Sequence, residues 1–574
     1  PRIGYNTRLG HNTKKIIIQS PFNNTIIGNV ISYCDYGIQL SDGTNTTVVG
    51  NTLEYCRYGI DLGTLKTTIR NNIFVGCGIF IDMIAGGNSI AGNIVNGRPL
   101  IYLENTSNLV VSNAGQVIAV NCNNITIEGL NLSCSTVGVE LINTNNSLLS
   151  NCLIYGNIYA IRIRNSDNVS IDGNDLIENN NGVYLYGVTD SSITNNNICA
   201  SDSCIVVSMA YNVCIKNNTI TYGLCSWSKS KSLQGEAIGS PSYHVIVTYI
   251  PESSVAIYQS ENISMRGNVL WGGGLYVSDS YNNTVEGNII NNKPLVYLEN
   301  TYGEVIEDAG QVVLVKCRGI RIRKCMLNNV TIGIEIFETN DTIISANIIS
   351  GNNLGVYAYM AYNIHIYLND FVNNSQDYYT VGICNITWFT AREVLYMYRQ
   401  ERYCGFMGNY WSGYNGTDED GDGIGDEPYY NDEYPLIRPI CEYTVSILHP
   451  MVLEYSPQST TIKSLEGEKV TFSVTISQPA NITWIRNGTR IFENINTKQS
   501  AITLTAEQGV WNITVYILNN NGSTVVSWTW IVEAKGGAIS ANIIIIGLAV
   551  AVVIIVAAII LSRRKLGRIL GRHD

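Results

Sequence analysis

An asparagine returns at a nearly constant interval through most of the chain, and this period constrains the fold more than any other feature. It stands in Gly28-Asn29-Val30, Gly50-Asn51-Thr52, Asn71-Asn72-Ile73 and Gly92-Asn93-Ile94. It comes back at Asn174, Asn196, Asn218, Asn268, Asn288, Asn347 and Asn369. A short apolar run, a turn and usually a segment Gly-apolar-x-apolar follow each time. A period of about 22 residues cannot house a helix pair or a βαβ unit, but it suits one coil of a parallel β-helix, in which identical positions stack. Tyr36-Gly37-Ile38-Gln39-Leu40 aligns with Tyr58-Gly59-Ile60-Asp61-Leu62, and later copies include Gly138-Val139-Glu140-Leu141 and Gly355-Val356-Tyr357-Ala358-Tyr359. Strand alternation sends the apolar pair of each copy into the core and the residue between them to solvent.

A longer repeat overlies the coils. Arg98-Pro99-Leu100-Ile101-Tyr102-Leu103-Glu104-Asn105-Thr106 returns as Lys293-Pro294-Leu295-Val296-Tyr297-Leu298-Glu299-Asn300-Thr301. At the same offset Ala114-Gly115-Gln116-Val117 returns as Ala309-Gly310-Gln311-Val312, and Glu140 as Glu335. Each copy is expected to insert a short flap between coils, in modules 97–154 and 292–349. The irregular stretch 226–254 is expected to leave the solenoid as a loop.

The β-helix is expected over residues 1–375 and a cap over 376–440, which hides the open end of the stack. Residues 441–534 carry alternating strands of another kind around Trp484, with Asn487-Gly488 and Asn521-Gly522 turns, and predict an immunoglobulin-like β-sandwich stalk. Ile543–Leu561 runs without a charge and is followed by Arg563, Arg564 and Lys565. That pattern predicts one transmembrane helix within 535–562 and a basic cytoplasmic tail at 563–574, with the bulk of the chain outside the cell. The start at Pro1, without a leader, is read as a processed or truncated chain. Nineteen Asn-x-Ser/Thr sequons fit an exported glycoprotein. Charged residues are only 14% and the net charge is −11, without a basic stripe, which argues against a nucleic-acid partner.

Fifteen cysteines cannot all pair. Cys34, Cys56 and Cys77 recur at the coil period, so they stack about 4.8 Å apart as an inward column of thiols or a disulfide pair. The sharpest short motif is Asp418-Glu419-Asp420-Gly421-Asp422-Gly423-Ile424-Gly425-Asp426. Asp418, Asp420, Asp422 and Asp426, with the Ile424 carbonyl, reproduce the first nine places of a Ca²⁺ loop. The glutamate of the twelfth place is missing, and Asp432 or Glu433 is the substitute.

The cap also carries a family resemblance. Gly408-Asn409-Tyr410-Trp411-Ser412-Gly413-Tyr414, the acidic loop and Glu433-Tyr434-Pro435-Leu436 resemble the ending of NosD-type β-helices, and the Pro-Leu-x-Tyr and Ala-Gly-Gln-Val segments resemble modules of the same family. The resemblance covers about residues 15–440. It implies a right-handed β-helix, a periplasmic setting, a link to copper delivery to nitrous oxide reductase and membership of a wider class of carbohydrate-binding and sugar-hydrolysing β-helices (CASH). The five histidines share no coil position, so copper is not expected from the residues.

The remaining candidate site is the outward ladder. Glu140, Arg162 and Tyr184 are neighbours in coil order, with Arg164 and Tyr186 one outward position on, and Tyr357 and Tyr359 in later coils. Acid, guanidinium and aromatic faces side by side suit a polysaccharide or surface glycan, and a solvated ladder of cross-strand pairs is the plainer alternative. A polysaccharide lyase, glycoside hydrolase or epimerase would draw on Asp61, Asp82, Glu140, Arg162 and Arg164. A third reading is a surface spacer or adhesin with a protein partner.

Overall fold

The computed structural model describes residues 2–3, 8–9, 16–19, 23–81, 87–223, 253–446, 452–519 and 522–534. The expected loop at 226–254 falls almost wholly, and the apolar segment at 535–562 wholly, outside them. No helix among the described residues is long and apolar enough to cross a membrane. The chain divides near residue 443 into two compact units.

The first unit is an all-β solenoid of about 15 turns at a spacing of about 22 residues. Three short strands make a typical coil, such as Thr47–Val49, Thr52–Glu54 and Tyr58–Leu65, and each pairs parallel with its counterpart in the next coil. Central apolar residues such as Val48, Leu53, Ile60 and Leu62 are fully buried. The recurring asparagine points inward, where a polar group must find partners. Asn29 N–H and Nδ2 both donate to Asn51 Oδ1, at 3.0 and 2.9 Å, and Asn51 does the same to Asn72 Oδ1. Each Nδ2 also reaches a backbone carbonyl, so the ladder closes the corner between two strands. Cys34, Cys56 and Cys77 lie along another inward column with Sγ against backbone carbonyls.

The third strand of the coils does not stack without interruption. One sheet of it ends at Ile79–Ile81, the next runs from Arg98–Glu104 to Leu275–Ser278, and a third runs from Lys293–Glu299 to Gln376–Val381. At each break the chain makes an antiparallel hairpin, Val95 opposite Arg98 and Ile290 opposite Lys293. The expected flaps are therefore corrected. Leu100 pairs with Gln116 and Leu295 with Gln311, so each insertion is a shortened coil that starts a new sheet.

Tyr410–Trp411 pairs parallel with Asp370 and Phe371, placing the cap motif on the last rung. Phe371 and Trp411 stack 4.3 Å apart, with Trp388 against both. The second unit contains the strands Val452–Ser456, Thr461–Leu465, Lys469–Arg486, Thr489–Thr505, Gly509–Asn519 and Gly522–Glu533 in one hydrogen-bonded system. Trp484 is fully buried there, as its sequence position suggests. It stacks on Trp528 at 5.9 Å and donates Nε1 to Ser500 Oγ at 2.8 Å.

Candidate functional site

The register expected for the outward ladder holds. Glu140 lies opposite Arg162, Arg162 opposite Tyr184, Arg164 opposite Tyr186 and Glu335 opposite Tyr357. Its exposure does not. Glu140 and Glu335 are fully buried and Arg162 is 9% exposed, because each sits under a sheet break. The free edge of Ile79–Ile81 presents backbone groups that no strand satisfies. Side chains of the following sheet supply the partners. Gln116 acts as a piece of strand: Oε1 accepts from Ile79 N–H at 3.0 Å while Nε2 donates to Ile79 O at 2.5 Å. Glu140 Oε2 accepts from Ile81 N–H at 3.2 Å, and Arg162 and Arg164 both donate to Ile81 O. Arg162 also pairs with Glu140 at 2.6 Å and lies 4.4 Å from the centre of the Phe80 ring. Sequence reasoning missed Gln116, although its place in the long repeat was the available signal.

The second break reuses the design with one change. Gln311 Oε1 accepts from Leu275 N–H at 2.9 Å and Nε2 donates to Leu275 O at 2.8 Å. Both Glu335 oxygens lie 3.3 Å from Val277 N–H. Where Arg162 and Arg164 stood, the third sheet has Tyr357 and Tyr359, so among the described residues Glu335 has no ion pair. Burial pushes its carboxyl well above the usual glutamate value, opposed only by the bond from Val277.

Of the set considered for catalysis, the structure brings Glu140, Arg162 and Arg164 together. Glu140, Arg162 and Arg164 are engaged in sealing the break. Asp61 is 8% exposed and accepts from Gln39 Nε2 at 3.1 Å. Asp82 lies outside the described residues.

Tyrosine side chains stay near the surface on the last coils, around the buried Phe337 ring. Tyr357 and Tyr379 stack 6.3 Å apart, and Tyr359 stacks on Phe337 at 4.6 Å, which in turn meets Tyr281 at 6.3 Å. Half-exposed Tyr379 borders a cavity of about 260 Å³ lined by Gln376, Asp377, Tyr378, Thr380 and Tyr430. Beside Tyr281, at the second break, a crevice of about 600 Å³ is lined by Glu261, Asp279, Asn282, Glu299 and Lys316, among others. Tyr184 and Tyr186, in the middle sheet, are half-buried, and Tyr184 meets the edge of Tyr159.

In the acidic loop, carboxylate oxygens of Asp418, Asp420 and Asp422 lie within 4.8 Å of one another. Asp426 instead accepts from Glu419 N–H at 2.8 Å, and the Ile424 N–H donates to Asp422. Asp432 does not close this site, which corrects that expectation. It is fully buried and accepts from Asn409 N–H at 2.7 Å and Trp411 Nε1 at 2.9 Å. Asn409 Oδ1 caps Asn369 in the same way, so Asp432 ends the asparagine ladder in place of one more asparagine. Burial raises its carboxyl to about 6 despite those bonds.

These three carboxylates are the only such group of His, Cys, Asp and Glu among the described residues. They are hard oxygen donors suited to Ca²⁺ or Mg²⁺, not the soft set copper prefers.

No curated protein matches the chain. Among solved structures, DFA-IIIase from Arthrobacter chlorophenolicus A6 in complex with GF2 is 11% identical, with 62% of this chain and 80% of that one covered and a TM-score of 0.26. GH136 lacto-N-biosidase from Eubacterium ramulus is 11% identical over 59% and 62%, with a TM-score of 0.24. The fibronectin(III)-like modules of Clostridium thermocellum CbhA are 16% identical, over 15% of this chain and 99% of theirs, with a TM-score of 0.13. The model of one family, described as periplasmic copper-binding protein (NosD), matches residues 3–88, 84–238 and 232–416. Those matches span most of the solenoid and its cap, and the chain belongs to the NosD family.

Proposed function

We propose that this protein works outside the cytoplasm as a β-helix that binds a glycan at the aromatic face of its last coils. The observation that carries the reading is the cavity of about 260 Å³ beside Tyr379, with Tyr378 and Tyr430 as walls and Gln376, Asp377 and Thr380 as polar contacts. Aromatic faces stack on the apolar faces of sugar rings, and convergent amide, hydroxyl and carboxyl groups meet their hydroxyls. Tyr357 and Tyr359 extend that surface along the coils. The right-handed solenoid is carried on residues 441–534 as an immunoglobulin-like sandwich stalk, decorated at its sequons. It is anchored by Ile543–Leu561 with the basic tail inside. Ca²⁺ held by Asp418, Asp420 and Asp422 stiffens the cap.

The test is a titration of the full chain against a panel of oligosaccharides with Ca²⁺ present, followed by assay for new chain ends. Binding that weakens about tenfold, or about 1.4 kcal/mol, in Tyr379→Ala and Tyr430→Ala supports the reading. Binding unchanged in both variants, or none to any sugar, removes it. New reducing or unsaturated ends would turn the binder into an enzyme.

A further inference from the structure

From the chemistry lining the same face we infer the class of glycan: a chain without carboxylate or sulfate groups, running from the Tyr379 cavity to the crevice at the second sheet break. The inference rests on the glycan reading above and specifies its ligand. The two hollows are joined by aromatic rings. Tyr379 stacks on Tyr357, Tyr359 is the next outward residue of that strand, and the buried Phe337 ring lies between Tyr359 and Tyr281 at the crevice, so the rings open to a ligand are Tyr379, Tyr357, Tyr359 and Tyr281. Ring separations and the two-residue step from Tyr357 to Tyr359 make this path at most roughly 24 Å long, enough for a short oligosaccharide.

Charge along the path is one-sided. The crevice contributes Glu261, Asp279 and Glu299, and the cavity at the other end contributes Asp377. Glu299 is already committed, accepting from Asn282 N–H, Asn283 N–H and the Tyr297 hydroxyl. No hydrogen bond or ion pair among the described residues engages the exposed Asp279 carboxylate, leaving it for a ligand hydroxyl or amine. The one base in either lining is Lys316. Its ammonium lies 3.5 Å from the centre of the Tyr281 ring and 3.6 Å from Glu338, so its charge is already balanced. The arginines that could have met an anionic sugar, Arg162 and Arg164, are held at the first break by Glu140 and the Ile81 carbonyl. An anionic chain would bring like charges together in a partly desolvated groove, which disfavours the wrong ligand more than it helps the right one.

The test compares three oligosaccharides of equal length on the full chain: a neutral glucan, a chitosan oligomer bearing amines and a polyuronate. Neutral or amine-bearing oligomers should bind at least tenfold more tightly than the polyuronate. The double variant Asp279→Asn with Glu261→Gln should narrow that gap by strengthening polyuronate binding and weakening that of the amine-bearing oligomer. A polyuronate that binds as tightly as the neutral chain, with binding still lost in Tyr379→Ala, overturns the charge class and leaves the glycan reading standing. A gap unchanged by the double variant overturns the assignment of the crevice. Binding of none of the three overturns both.

Discussion

Replacing Glu335 by glutamine should stabilise the protein at neutral pH, and the effect should vanish in mild acid. Glu335 is fully buried under the second sheet break, near Tyr276 and Tyr357, with one backbone donor, Val277 N–H. Its native carboxyl titrates above the unfolded one, so stability is fullest below the ordinary value of 4.5 and falls as pH rises from there towards the raised native value. Each pH unit over which only the native carboxyl keeps its proton costs about 1.4 kcal/mol. A glutamine oxygen can accept the Val277 N–H equally well. Its amide hydrogens need new acceptors, which takes back about 1–2 kcal/mol. The net expectation for Glu335→Gln is a gain on the order of 1 kcal/mol at pH 7.5 and none, or a small loss, at pH 5. Solenoids open locally, so the measurement is native-state hydrogen exchange of 275–278 and 332–337 at both pH values, alongside guanidinium unfolding. A variant no more stable than the parent at pH 7.5, or one shifted equally at both pH values, would refute the argument.

The first break should respond in the opposite sense. Arg162→Met removes the closer of the two arginines paired with the buried Glu140 carboxylate, leaving Arg164 at 3.6 Å, and should cost up to about 3–5 kcal/mol at pH 7, read by the same exchange at Ile81. Asp432→Asn keeps an oxygen for Asn409 and Trp411 while removing a charge, so it should fold normally. The fall in cap stability that the parent shows as pH rises from about 4 to about 6 should flatten in this variant, seen in Trp411 fluorescence during unfolding. Ca²⁺ at a hundredfold excess over its dissociation constant should stabilise the cap by about 2.7 kcal/mol, and Asp418→Asn with Asp420→Asn should abolish the shift in melting temperature.

The fold was legible because stacking makes every coil repeat the same local problem. Asn51 and Asn72 recur because each accepts from the asparagine one coil before it, and a periodic cause leaves a periodic trace. The ladder order Glu140, Arg162, Tyr184 was legible for the same reason. What the period could not convey is where stacking stops. A break in a sheet turns an outward position into an inward one without altering the alternation of the strand, so Glu140 reads as solvent-facing while the structure buries it completely. Asp432 was misassigned by proximity in sequence: it follows an acidic loop, yet it belongs to the asparagine ladder that ends 23 residues earlier at Asn409.

The two breaks show how one backbone solution leads to different surfaces. Both seal a strand edge with a glutamine amide and a glutamate carboxylate, at positions that the long repeat relates. At the first, Arg162 neutralises the acid, and the cost of burying the pair is met by direct contact and by hydrogen bonds to Ile81. At the second the corresponding residue is Tyr357, which leaves the acid unpaired and raises its proton affinity, yet begins an aromatic surface that continues to Tyr379. Substituting Tyr357 by arginine would set the two aims against each other. The seam should gain from an ion pair with Glu335 at neutral pH, and the face should lose a stacking ring and acquire the positive charge that its lining otherwise withholds from the open path.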